Sequence, residues 1–338
     1  MSTTVNVAIA GATGMVGSAV LSILEERNFP LKNLYLLASH RSLGDIREFK
    51  GQSHWIEDIA TFDFSKADIC FFCLSNDLAA IYAPKATEKG AIVIDKSSYF
   101  RLHPDVPLIV PEVNLDALAD YKKMNIIASP NCNTIPIVMA LKPIYDAVGI
   151  SRINVATYQS VSGTGKEAVE ELILQTAKLL NGKAFKSKVY PQQIAFNVLP
   201  HIDDFLENGY TKEEMKVVFE TQKIFKDTKI AINPTAVRVP VFYGHSAALH
   251  IETQQKMTVK KVVELLKKSE GLVVNLGKYP YATPVQEAQG KDGVYVGRIR
   301  EDISSPNGLN LWVVADNIRK GAALNAIQIA EKIIERDF

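Results

Sequence analysis

The stretch VNVAIAGATGMVG, residues 5–17, decides how the first half of the chain is read. VNVAIA is a short apolar β pattern, and Gly11, Gly14 and Gly17 follow at the opening of a helix, GMVGSAVLSILEERN. Glycines in that setting let the backbone turn tightly and approach a pyrophosphate, while the free N–H groups of the helix N-terminus hold the anion. The alternative is a glycine-rich turn with no ligand. The strand before it and the helix after it favour a dinucleotide. Outward from this turn, NLYLLAS reads as a second strand, and ADICFFCL and AIVIDKS as further buried strands separated by the helical AAIYAPKATEKG. Continuous apolar strands alternating with helices indicate a parallel sheet covered on both faces, so this part is α/β and Rossmann-like.

The end of the second strand selects the nucleotide. An NAD-type site would place an acid there to hold the ribose 2′-hydroxyl. The chain has Leu37-Ala38-Ser39-His40-Arg41-Ser42 instead. Arg41, flanked by the Ser39 and Ser42 hydroxyls, suits a 2′-phosphate, so NADP is the expected cofactor.

Composition narrows the class further. The 338 residues are 47% apolar and 22% charged with a formal net charge of +1, which describes a folded globular chain. That balance provides no field for nucleic acid or an anionic membrane. No apolar run approaches the roughly 20 residues of a membrane span, and MSTTVNVAIAG lacks the features of a signal peptide. Three cysteines do not make a disulfide framework, and a cytoplasmic chain is expected. Cys70 and Cys73 form a CxxC, but in a strand these positions point to opposite faces, so both read as core. The six histidines do not combine with cysteines or acids at ligand spacing, and no metal is expected.

Past residue 131 the pattern changes. KEAVEELILQTAKLLNG is an amphipathic helix, and INVATYQSVS, IAINPTAVRVPVFYG, SAALHIETQQ, GVYVGRIRED and LNLWVVAD are strand-like, several with clear alternation. They suggest an α+β unit whose sheet is antiparallel or mixed, with one face covered by helices. RKGAALNAIQIAEKIIERDF closes the chain as a helix with an apolar stripe through Leu324, Ile327, Ile329 and Ile333. The expected organisation is a nucleotide-binding domain, 1–131, completed by a helix at 318–338, and a catalytic and dimerisation domain, 132–317.

Cys132 sits in ASPNCNTIPIVMALKPIY, between a buried run and an apolar helix. A helix N-terminus favours the thiolate, and Asn131 and Asn133 are polar groups able to orient a bound carbonyl. A core cysteine would look the same. A nucleophile needs a base and an anchor. Arg238 and His245 in AVRVPVFYGHSAALHIE are candidates, with His245 the proton carrier and His250 a structural strand residue. Gln159 in YQSVSGTGKEA precedes a second glycine-rich stretch able to pass close to a nicotinamide.

Assembled, these segments resemble bacterial aspartate-semialdehyde dehydrogenase nearly end to end: VAIAGATGMVG, LLASHRSLG, DKSSYFRL, VPEVN, SPNCNTI, YQSVSGTGKEA, RVPVFYGHS, VGRIRED and DNIRKGAALNAIQIAE, in that order. The resemblance implies a homodimer formed through the second domain and NADPH-dependent reduction of 4-phospho-L-aspartate to the semialdehyde. That reaction belongs to the route toward lysine and diaminopimelate, methionine, threonine and isoleucine. It implies Cys132 as the acyl-carrying nucleophile, His245 as general acid/base, Gln159 orienting the substrate and Arg238 binding its α-carboxylate. Arg101, Asn131 and Lys216 would hold phosphate, and Glu213 would place the substrate amine. Thr13, Gly14, Met15 and Val16 beside Gly11, together with Ser39, Arg41, Ser42, Ser162, Gly163 and Asn317, would contact NADP. An N-acetyl-glutamyl-phosphate reductase type would be expected to show Gly-Cys-Tyr where this chain has Asn-Cys-Asn. An NAD-using glyceraldehyde-3-phosphate dehydrogenase type fits the second strand poorly. A catalytically silent paralogue would be expected to have lost Cys132, His245 or Arg238, and all three are present.

Overall fold

The computed structural model describes residues 4–338 and divides into two compact units: the chain up to Asn131 together with 322–338, and 132–321. The return crossing lies a little beyond the 317/318 junction read from the sequence. The Asp316 carboxylate caps Ile318 and Arg319 N–H, and Gly321 N–H donates to Asp316 O at 2.9 Å, so these residues stay with the second unit.

The first unit runs β1 (Val5–Ala10), α1 (Met15–Glu26), β2 (Leu31–Ala38), β3 (Ile46–Phe49), β4 (Gln52–Asp58), β5 (Ile69–Phe72), α2 (Asn76–Glu88), β6 (Ile92–Asp95), α3 (Pro111–Asn114) and β7 (Ile126–Ala128). The strands form one sheet in the order β3-β4-β2-β1-β5-β6-β7. All neighbours are parallel except the β3–β4 hairpin, a feature the apolar pattern does not announce. Strands β5 and β6 are buried at every position, as a sheet covered on both faces requires. The C-terminal helix, Leu324–Asp337, joins this unit and packs on α1, α3 and β6. Its stripe of Leu324, Ile327, Ile329 and Ile333 enters the same core as Val20, Leu24 and Ile94. Each such side chain contributes about 2 kcal/mol by leaving water. Arg27 clasps Glu331 with two parallel bonds of 2.7 Å, and Gln328 bonds Glu112 at 2.8 Å, fixing the helix's register. Cys70 is buried within β5 and Cys73 follows the strand's end; both are free thiols, and burial pushes Cys73 up to about 12.

The second unit runs α4 (Thr134–Val148), β8 (Ile150–Gln159), α5 (Lys166–Leu180), α6 (Lys212–Phe225), β9 (Ala231–Arg238), β10 (His245–Thr253), α7 (Val259–Lys268), β11 (Leu272–Val274), β12 (Val294–Glu301) and β13 (Gly308–Ala315). Its six-stranded sheet has the order β11-β12-β13-β10-β8-β9. The sheet is mixed: β8 runs parallel to β9 and β11 to β12, with antiparallel pairs between. The parallel β8–β9 pair follows from the long crossover through α5 and α6, which a hairpin could not supply. Ile153, Val155, Ala247, Leu249, Ile251, Leu309, Leu311 and Val313 alternate along β8, β10 and β13 and are buried. Helices α4, α6 and α7 pack on the sheet. The intervening residues point to the other face, where Tyr158 packs on Trp312 (5.5 Å). There His250 bridges Asn154 and Asp302 at 3.1 and 2.6 Å, a structural strand histidine as expected. No helix among the described residues is long and apolar enough to cross a membrane.

Candidate active site

Sheet topology places three of the expected site residues together. In the parallel β8–β9 pair, the last residues Gln159 and Arg238 are register partners. Strand β10 is antiparallel to β8, so it begins where β8 ends, and its first residue is His245. All three side chains are buried.

Ser160 links them, and nothing in the sequence singles it out. Its N–H donates to His245 Nδ1 at 3.0 Å, and its carbonyl accepts from Arg238 Nη1 at 2.8 Å. With Nδ1 committed as an acceptor, the neutral ring carries its proton on Nε2. Burial and the neighbouring Arg238 charge lower the His245 imidazolium to about 3, against weaker opposition from Glu213. The ring is therefore neutral and presents Nε2–H. That atom and Arg238 Nε are both buried and have no hydrogen-bond partner among the described residues, so the wall retains hydrogen-bonding capacity for a ligand. Gly163 completes the wall: a Cβ there would lie 3.0 Å from Arg238 Nη1 and 3.3 Å from His245 Nε2.

Glu213 connects this wall to the cysteine. Helix α6 starts with a capping box, Thr211 with Glu214, which fixes the first turn and turns Glu213 inward. Glu213 Oε1 accepts from Gln159 Nε2 at 3.0 Å and from Asn133 Nδ2 at 3.2 Å. Thr157 Oγ1 donates to Gln159 Oε1 at 2.9 Å, so the Gln159 amide is held at both ends. Asn133 is the residue after Cys132 and caps α4, which places the half-exposed Cys132 immediately before a helix N-terminus. Gly321 closes in from another segment, where a Cβ would sit 3.1 Å from Cys132 Cβ. Lys216, one turn on from Glu213, pairs with Glu213 Oε2 at 3.0 Å and Asp203 Oδ2 at 2.8 Å. Burial alone would lower its ammonium, but the two carboxylates outweigh it and the net shift is upward. Lys216 is thus a held cation, where a helix position of this kind would ordinarily be solvated.

Ser162 and Asn317 are buried behind His245. Asn317 Oδ1 accepts from Gly244 N–H at 2.8 Å and from the Ser160 and Ser162 hydroxyls at 3.2 Å. In this structure their polar atoms hold one another and the turn ahead of His245.

In the first unit, Gly11 has φ +84°, and a Cβ there would come within 2.3 Å of Cys73 O. A Cβ on Gly17 would come within 2.2 Å of Gly11 O, so α1 can approach the turn only with glycine at this position. The turn opens on a cavity of about 480 Å³ lined by Gly11, Thr13, Gly14, Ser39 and residues of β4 and α2. A turn whose glycines carry no Cβ, at a helix N-terminus, fits a dinucleotide pyrophosphate. Met15 and Val16 form the first turn of α1; Arg41 and Ser42 lie in the turn after β2, with Arg41 exposed. The cavity also contains Asp58, the last residue of β4, which reading β2 alone does not reveal. Arg101 and Asn131, both buried, follow the carboxyl ends of the neighbouring strands β6 and β7. Arg101 Nη2 donates to Lys96 O at 2.8 Å, and Lys96 Nζ bonds Ser129 Oγ at 2.7 Å.

A nucleotide-binding α/β unit, with a mixed-sheet unit carrying Cys132, Gln159, Arg238 and His245, defines a dehydrogenase of the semialdehyde class. The model described as semialdehyde dehydrogenase, NAD binding domain, matches residues 6–121, and that described as semialdehyde dehydrogenase, dimerisation domain, matches 141–320. An aspartate-semialdehyde dehydrogenase of Legionella pneumophila is 58% identical, covering 100% of this chain and 98% of that protein; one of Aquifex aeolicus is 50% identical over 97% and 98%. The crystal structure of aspartate semialdehyde dehydrogenase II from Vibrio cholerae, complexed with ASA, superposes with a TM-score of 0.98 at 53% identity and full coverage of both chains. The chain belongs to the aspartate-semialdehyde dehydrogenase family of oxidoreductases.

Proposed function

We propose that this chain is an NADPH-dependent, cytoplasmic, homodimeric enzyme that reduces 4-phospho-L-aspartate to L-aspartate 4-semialdehyde through a thioester on Cys132. The semialdehyde would serve the route to lysine and diaminopimelate, methionine, threonine and isoleucine. The observation that carries the reading is the shared carboxylate of Glu213, which ties Asn133, next to Cys132, to Gln159 at the strand end beside Arg238.

The chemistry follows from the residues. The thiolate of Cys132, favoured by the N-terminus of α4, attacks the acyl carbon. The C–O bond to phosphate breaks, and phosphate leaves with the electron pair. Arg101, Asn131 and Lys216 are assigned to its charge. Arg238 takes the α-carboxylate with two parallel N–H bonds, Glu213 receives the amine, and Gln159 orients the carbonyl. NADPH, when bound, supplies the hydride that reduces the acyl carbon; the Gly11–Gly17 turn, Thr13, Ser39, Arg41 and Ser42 are assigned to hold it. Reduction leaves negative charge on the substrate oxygen, and His245 Nε2–H meets it. Because Nδ1 is committed to Ser160 N–H, the ring does not make the full proton transfer expected of a general acid/base and instead acts as a neutral donor that shares its proton with the oxygen and retains it. The C–S bond then breaks, its electron pair returns to sulfur, and the aldehyde leaves. Splitting the reduction this way replaces one difficult step with two easier ones.

Purified protein mixed with L-aspartate 4-semialdehyde, phosphate and NADP⁺ should produce NADPH absorbance, and Cys132→Ala should abolish it. Activity retained in that variant would remove the nucleophile assignment. N-acetyl-glutamate semialdehyde in the same assay should give no signal.

A further inference from the structure

The dinucleotide reading leaves one charged group of the cavity, Asp58, unassigned, and any role for Asp58 toward a nucleotide rests on that reading. Strand β4 runs parallel beside β2, so Asp58 pairs in register with Ala38, and Ile59 N–H donates to Ala38 O at 3.0 Å. This fixes the Asp58 carboxylate against the turn Ser39–Ser42. Its Oδ1 accepts from Ala60 N–H at 3.0 Å, and its Oδ2 lies 3.3 Å from His40 Nδ1. Asp58, Ser39 and His40 all line the cavity that the glycine turn opens on. The Asp58 side chain is only 16% exposed, so its charge is weakly screened on the cavity side, while His40 is 82% exposed.

A carboxylate at this edge accepts a hydrogen bond from a ribose 2′-hydroxyl and repels a 2′-phosphate. Arg41, Ser39 and Ser42 act in the opposite sense. The two influences come from neighbouring strands, one visible in the β2 sequence and the other brought in only by strand order. From this juxtaposition we infer that Asp58 is a specificity-determining residue, which restrains the preference for a 2′-phosphorylated nucleotide and leaves room for the unphosphorylated one.

The test is calorimetric titration of the full-length protein with adenosine 2′,5′-bisphosphate and with 5′-AMP, for the wild type, Asp58→Asn and His40→Gln. Asparagine keeps an acceptor for Ala60 N–H, so the turn is preserved. A 2′-phosphate carries nearly two negative charges, and removing one fixed carboxylate beside it should raise the affinity ratio in favour of the bisphosphate by roughly tenfold at low salt. The gain should shrink as salt rises, which a change of shape would not produce. His40→Gln, which leaves the Asp58 carboxylate in place, is the control and should keep the ratio within about twofold of wild type; a change as large as that of Asp58→Asn would overturn the assignment to Asp58. A ratio in Asp58→Asn within about twofold of wild type, or an equal weakening of both nucleotides, overturns the inference and leaves the dinucleotide site standing. Failure of the wild type to bind either nucleotide overturns both.

Discussion

Gly163→Ala tests the wall formed by Arg238 and His245 without touching either residue. The added Cβ would lie 3.0 Å from Arg238 Nη1 and 3.3 Å from His245 Cε1 and Nε2, closer than ordinary carbon contacts. Neither neighbour can withdraw freely, because Ser160 holds Arg238 through its carbonyl at 2.8 Å and His245 through its N–H at 3.0 Å. Relief requires stretching one of those bonds by a few tenths of an ångström. Overpacking of this kind, with one strained buried hydrogen bond, costs about 1–2 kcal/mol of stability. The larger effect is on alignment, where shifts below 1 Å reduce rate by about 10- to 100-fold. The assay is NADPH formation from the semialdehyde, phosphate and NADP⁺, with urea unfolding in parallel. Gly277→Ala is the matched control: no atom lies within 4 Å of its Cβ position, and both readouts should stay near wild type. If Gly163→Ala behaves like Gly277→Ala, the packing of this wall does not set the geometry of catalysis.

Three further outcomes are expected. Gly11→Ala places a Cβ 2.3 Å from Cys73 O on a backbone at φ +84°, so stability should fall by about 2–4 kcal/mol and NADP affinity should collapse, checked by unfolding and titration; an unchanged affinity would move the pyrophosphate elsewhere. Arg238→Lys keeps the charge and loses the planar fork, so kcat/KM should drop by about 100-fold or more, chiefly through KM for the substrate, and an unchanged KM would relocate the carboxylate site. His245 is held neutral to about 3, so between the ordinary imidazole range near 6.5 and that value the unfolded chain binds a proton the folded one excludes. Stability should therefore fall as pH drops through this window and be independent of this group above it. Urea midpoints of His245→Gln should decline less steeply there, and parallel curves would contradict the burial argument.

Much of the first unit was legible because continuous apolar strands and a glycine turn at a helix start leave few alternatives. The β3–β4 hairpin was not, since Gln52–Asp58 is polar and only half buried, one strand in from the sheet's edge. Consequently Asp58 was invisible: its place beside Ser39 depends on which strand neighbours β2. In the second unit Cys132, Gln159, Arg238 and His245 could be named from local motifs, but the motifs do not say that they meet. The meeting of Gln159 and Arg238 depends on β8 and β9 being parallel, and alternation, which fits an antiparallel or a mixed sheet, does not say which strands pair in that sense. Glu213 and Lys216 look like a solvated pair in TKEEMK. The capping box at Thr211 and the packing of α6 on β9 bury the first and hold the second. Ser160 joins Arg238 and His245 through its backbone C=O and N–H, with its hydroxyl also 3.1 Å from His245 Nδ1, and the backbone part of that role is one no side-chain pattern announces.

The proposed reaction runs through a covalent bond between substrate and one sulfur. Protein quenched in acid after mixing with 4-phospho-L-aspartate in the absence of NADPH should carry an aspartyl adduct on the peptide containing Cys132, lost on adding NADPH and never formed in Cys132→Ala. An adduct on Cys70 or Cys73, or turnover with no adduct on any cysteine, would contradict the account.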